Sequence, residues 1–132
     1  MLDELRQLHG VPVLVCAADG SPLRDDRDAV DLVAQAQFGH RAEWVAVPVD
    51  RLTPEFFQLR TGVAGAIVQK FVDYRTGLAV VGDVTAHLAA SDAFQDWVRE
   101  TNWGGHIWFV ADLAELEQRL TTARGPGDTL PV

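Results

Sequence analysis

The sequence predicts a single α/β domain built on one mixed sheet of about five strands, with about four helices packed on it. Three observations carry that expectation. Apolar runs of strand length recur at 11–16, 44–49, 78–83 and 106–110, each short and rich in Val, Ile or aromatic residues. Stretches with helical apolar spacing separate them from the second run onward, the alternation that joins parallel strands by right-handed crossovers. The first run is instead preceded by a weaker strand-like stretch across His9-Gly10, so the sheet should open with an antiparallel hairpin. A chain of 132 residues, 48% hydrophobic, is long enough to bury a core and too short for a second domain.

Each element has its own justification. Residues 2–9 alternate only roughly and read as a short edge strand, and 11–16 as a more buried one. Ala18-Asp19-Gly20-Ser21-Pro22 is turn chemistry, and the charged run 24–28 leads into a helix that Asp25 or Asp26 can cap. Ala29, Leu32, Val33 and Ala36 share a helical face, and Gly39 is placed to close the helix in a left-handed conformation. Strand 44–49 carries Pro48 near its end, where a missing ladder donor is tolerated. Residues 53–74 read as the central helix, opened by Thr53 with Pro54 at the first helical position and interrupted by Arg60-Thr61-Gly62-Val63-Ala64-Gly65. The continuously apolar strand 78–83 should be interior. Ser91 caps a helix presenting Phe94, Trp97, Val98 and Thr101, and 106–110 is the fifth strand. Asp112 with Glu115 resembles a capping box for a last helix striped by Leu113, Leu116 and Leu120. The domain is expected to occupy 1–124, followed by a flexible tail at 125–132.

Composition narrows the function. With a formal charge of −8 and Lys70 as the lone lysine, the surface should repel phosphate backbones, so no nucleic-acid partner is expected. The Gly62-x-x-Gly65 spacing, which also occurs in loops that clamp nucleotide backbones, is outweighed by that charge. No apolar run approaches the roughly 20 residues that span a bilayer, and no signal region is evident; no membrane association and a cytoplasmic location are expected. The lone Cys16 lies in an apolar strand and should be a buried, inert thiol. No HExxH, CxxC, GxSxG or P-loop spacing is present, so no metal or cofactor is expected.

The interrupted segment 53–74 is where function should lie. A hydroxyl at Thr61, beside Arg60 and ahead of Gly62, would stand among free backbone N–H groups at a helix start, a setting that stabilises negative charge. The ordinary reading of Thr61 is a helix cap, and that of Gly62 and Gly65 is close packing against another backbone. Loops at the carboxyl ends of parallel strands gather on one edge, which should bring Asp50, Asp83 and Asp112 near this turn. Asn102 and His106 follow in a Gly-rich region, and Trp103 there is expected to be an exposed aromatic anchor for a protein partner or a homodimer. The competing reading is a small enzyme or small-anion-binding protein that uses Arg60, Asp83 and His106.

Two resemblances add to this. PEFFQLRTGVAGAIVQKFVDY at 54–74, LAVVGD at 78–83, RETN at 99–102 and IWFV at 107–110 closely resemble a bacterial family known as domain of unknown function 4180, over about residues 10–120. That resemblance implies no known activity. The family pattern has acidic residues where this chain has Gln58 and Ala66, and often Asn where it has Asp73. More loosely, the order of hairpin, helices and strands resembles the STAS domain of sulfate transporters and anti-sigma-factor antagonists. In that family a Ser or Thr just before a small-residue helix start is phosphorylated and marks the partner-binding edge. Carried over to Thr61-Gly62-Val63-Ala64-Gly65, it implies a regulatory, protein-binding domain under phosphorylation control.

Overall fold

A computed structural model describes residues 3–122; the tail expected at 125–132 lies outside them. Strands β1 (Glu4–Leu8) and β2 (Val11–Val15) form the antiparallel hairpin. Both turn residues, His9 at φ 51° and Gly10 at φ 80°, are left-handed, as a two-residue turn matched to strand twist requires. Helix α1 (Asp26–Ala34) is capped by Asp25, whose carboxylate accepts the Asp28 N–H at 2.9 Å. It does not end on a left-handed Gly39. Residues Gln35–Gly39 widen into a π turn, Arg41 takes the left-handed conformation at φ 54°, and the Ala42 N–H reaches the Ala36 carbonyl at 2.8 Å. The wider turn needs the extra residues, so the stop falls two positions later than Gly39.

Strand β3 (Trp44–Pro48) ends on its proline as expected and passes through a single 3-10 turn, Val49–Arg51. The expected helix over 53–74 is three pieces. Two 3-10 turns, Pro54–Phe57 and Leu59–Thr61, precede α2 (Val63–Asp73). Burial of adjacent aromatics explains the break. Phe56 and Phe57 both enter the core, Phe56 against Trp97 and Phe109, Phe57 against Phe94. A regular helix would turn one of two successive residues about 100° away. Gln58 is extended and Gly62 left-handed at φ 79°, which redirects the chain into α2.

Strand β4 (Gly77–Val81) is paired on both sides. A six-residue helix that the apolar spacing did not announce, α3 (Thr85–Ala90), leads to α4 (Asp92–Trp103), whose cap Ser91 accepts the Phe94 N–H at 3.1 Å. After β5 (Ile107–Val110), α5 (Leu113–Thr122) starts as expected: Asp112 accepts the Glu115 N–H at 2.8 Å and Glu115 accepts the Ala111 N–H at 2.7 Å.

The sheet order is β1-β2-β3-β4-β5, with β1 antiparallel and the rest parallel. Sequential parallel strands joined by crossovers of one hand place every connecting helix on the same face. That face buries Leu14, Val45, Leu78 and Phe109 under residues of α1, α2 and α4. The opposite face buries Val13, Trp44, Ala79 and Trp108 under Leu116 and Leu120 of α5. Trp44 stacks on Trp108 with ring centres 4.2 Å apart. A Cβ at Gly77 would be driven into the Trp44 indole, so only glycine fits there.

Candidate functional site

Chain direction sorts the sequence-predicted site residues into two groups. The carboxyl ends of β2–β5 form one edge of the sheet, where the loops before α1, α2, α3 and α5 gather. Arg60, Thr61, Gly62 and Asp83 lie on this side, as do Asp50 and Asp112. Asn102, Trp103 and His106 lie at the other end, where β5 begins. The His106 carbonyl accepts the Leu78 N–H at the start of β4, whereas Asp83 follows Gly82, whose N–H reaches Val110 at the far end of β5. Four residue steps of strand, about 13 Å at roughly 3.3 Å each, separate those positions. The structure therefore does not bring Arg60, Asp83 and His106 together, and a shared reaction centre made of those three has no geometric basis.

The Arg60-Thr61-Gly62 turn is solvent-exposed. The Thr61 hydroxyl lies 2.8 Å from the carbonyls of both Glu55 and Gln58, to which it donates, and its oxygen accepts the Val63 N–H at 3.3 Å. The cap position of α2 is Gly62, without a side-chain cap; Thr61, one residue earlier, takes up the Val63 N–H and fastens the two preceding 3-10 turns. Gly62 and Gly65 do not pack against another backbone. Both are exposed, and a Cβ at either would meet nothing within 4 Å. Gly62 serves the left-handed turn; Gly65 and exposed Ala66 leave the outer side of α2 bare while Ala64 and Ile67 take the core.

Beside this turn is a surface cavity of about 550 Å³ lined by Phe57, Leu59, Arg60, His87 and Ser91. His87 stacks face to face on Phe57, ring centres 3.7 Å apart and 6° from parallel. His87 sits on α3, the short helix that the apolar spacing did not announce. Asp83 is spent locally. It accepts the Thr85 N–H at 2.9 Å and the Thr85 hydroxyl, which together hold its carboxyl below the usual range, the hydroxyl contributing most.

At the opposite end, Asn102 has a structural duty. β5 is an edge strand, and the Phe109 N–H, which points away from β4, donates to the Asn102 side chain at 2.7 Å. Trp103 is 88% exposed, and Phe38 at the end of the π turn is 86% exposed. His106 keeps a buried Nδ1 without a hydrogen-bond partner.

The sequence did not mark the ion pair of Arg51 with Asp3, with side chains 9% and 14% exposed. Arg51 is buried, donating to Asp3 at 3.1 Å, to the Ser21 carbonyl at 2.7 Å and to the Ala17 carbonyl at 3.3 Å. A Cβ on Gly20 would come within 2.7 Å of the guanidinium carbon, so glycine leaves the space that Arg51 fills. This pair lines a second cavity of about 700 Å³ against α1. A third, of about 720 Å³, opens on the α5 side of the sheet beside Val15, Ala46 and Val81. No His, Cys, Asp or Glu group suited to a metal ion occurs among the described residues, and none of their helices is long and apolar enough to cross a membrane.

No curated protein and no solved structure matches the chain. A family model described as Domain of unknown function (DUF4180) does, over residues 8–120. That span runs from the last residue of β1 into α5 and takes in the Thr61 turn, the adjacent cavity and both cores. The fold described above is thus the fold of the matched region, and the chain belongs to the DUF4180 family.

Proposed function

We propose that this chain is a regulatory protein-interaction domain that binds a protein partner through the turn at Arg60-Thr61-Gly62, under the control of phosphorylation at Thr61. One observation carries the reading: an exposed hydroxyl that holds its own turn closed. The Thr61 proton bridges to two carbonyls 2.8 Å away. Phosphorylation would remove that donor and set a charge of about −1.5 to −2 against both carbonyl oxygens, so the 3-10 turns would have to open. The freed phosphate would find the positive end of α2 and the exposed Arg60 beside it. Modification at this residue would therefore rearrange the surface around it rather than decorate it.

Further support comes from the shape of the surroundings. Gly62, Gly65 and Ala66 leave bare backbone at which a partner chain can approach closely, and the cavity lined by Phe57 and His87 offers an apolar recess next to it. The STAS resemblance read from the sequence would make this turn the regulated edge.

The test is affinity capture from cells of the source organism with wild type, Thr61→Glu and Gly65→Arg, with mass spectrometry of the recovered chain. A partner should be retained by wild type and reduced at least about tenfold by either variant, a change of about 1.4 kcal/mol, and Thr61 should carry phosphate in part of the chain. Equal capture by all three, with Thr61 unmodified, would sink the proposal.

A further inference from the structure

The geometry points to a self-pairing edge: the open side of β1 joins β1 of a second copy of this chain, antiparallel and centred on Leu5. Strand β1 ends the sheet, and its residues Glu4, Leu5, Arg6 and Gln7 are exposed. Its register against β2 fixes where each backbone group points. The hairpin closes on the Leu8–Val11 pair, and Pro12 and Cys16 direct their ladder groups to β3, the Pro12 carbonyl accepting from Glu43 and the Cys16 N–H donating to Ala46. Strand alternation then turns Leu8, Arg6 and Glu4 toward β2. The N–H and C=O groups of Leu5 and Gln7 point off the open edge, where an added strand would take them up.

A two-fold antiparallel pairing must build its hydrogen-bonded pairs from these outward residues, which leaves few registers. Centred on Leu5, it sets Leu5 against Leu5 of the second copy, Gln7 against Asp3, and Glu4 against Arg6 twice. Centred on Arg6, it sets two guanidinium groups directly opposite each other, and like charges in that position are destabilising. Centred on Gln7, it runs Leu5 onto the His9 turn and leaves Glu4 without an opposing strand residue. Charge therefore selects the first register. Glu4 and Arg6 stand on the same face 3.9 Å apart within one chain, and their opposite signs on either side of Leu5, itself 38% exposed, are what make the edge complementary to itself. Had both been acidic, the same edge would repel its copy.

Sedimentation equilibrium of the full chain over a wide concentration series tests this, together with Glu4→Arg and Arg6→Glu. Wild type should move toward twice the monomer mass, each variant alone should stay monomeric, and an equal mixture of the two should recover the dimer, because each then opposes the other with opposite charge. Leu5→Pro, which removes an N–H pointing off the edge and none that β2 uses, should also be monomeric, with the hairpin retained as judged by Arg6 and Leu8 amide protection. Amide exchange adds a residue-level reading: Leu5 and Gln7 should gain protection as concentration rises, and Arg6 should not. A wild type that stays monomeric overturns the proposal. So does association unaffected by the charge variants and Leu5→Pro, which would place the contact elsewhere, at Phe38 or Trp103.

Discussion

Cys16 and Arg51 share one small region at the carboxyl end of β2, and burial treats them in opposite ways. The Cys16 thiol, pushed from an ordinary value of 9.0 up to about 12 by desolvation and then by the nearby Asp3 carboxylate, stays neutral in the folded chain. The unfolded chain releases that proton near pH 9.0. Between pH 9 and 12 the folded state therefore holds the extra proton, and stability should fall as pH rises, by up to about 1.4 kcal/mol per pH unit. Below pH 9 the contribution is fully present. Urea denaturation at several alkaline pH values should show a shallower decline for Cys16→Ala than for wild type; equal slopes would contradict the assignment. The inert thiol was legible in the sequence, because an apolar strand surrounds it. Arg51 was not. Its sequence neighbours Val49 and Asp50 suggest a chain leaving the sheet for solvent, and its burial depends on Asp3 and Gly20, which lie 48 and 31 positions away. An arginine is rarely buried without a paired charge, and nothing local announces that pairing.

At the scale of elements, periodicity located the regular pieces and failed at the segment of most interest. Helix caps at Ser91 and Asp112 could be read directly, and the first narrowed to Asp25 or Asp26, since a side chain that satisfies an N–H two or three residues ahead is a local matter. The 53–74 segment reads as one helix because Pro54 is a helix opener and apolar residues follow at suitable intervals. Tertiary burial of Phe56 and Phe57 overrode that preference. The same segment corrects the reading of its glycines, for Gly65 faces solvent in the first turn of α2 with open space where a Cβ would stand. Gly65→Ala should accordingly stabilise the protein by about 0.5–1 kcal/mol, through reduced freedom of the unfolded chain. A lower urea midpoint for this variant would restore the close-packing explanation. If the bare surface serves a partner, the same substitution should weaken capture while it raises stability.

For the whole molecule, the two cores on opposite faces of one sheet should behave as a single cooperative unit. Trp44 and Trp108 report from the α5 side and Trp97 from the other, so tryptophan fluorescence and far-UV dichroism should give coincident urea transitions. Leu116→Ala, at a fully buried position, should cost about 2–5 kcal/mol and shift both probes together; a separate early fluorescence transition would mean that α5 unfolds on its own. The sequence by itself determined the α/β class, the hairpin, the parallel succession and the family, because each depends on patterns a few residues long or on a continuous run of motif. The grouping of Asp83 with His106 in one centre did not hold, since Asp83 follows β4 and His106 precedes β5, at opposite ends of the sheet. Only the tertiary structure decided which residues meet: the Arg51–Asp3 pair, the Phe57–His87 stack, the hydroxyl of Thr61 on two carbonyls, the exposure of Gly65. Those outcomes depend on which surfaces the folded chain must remove from water, and burial is a property of segments far apart in sequence.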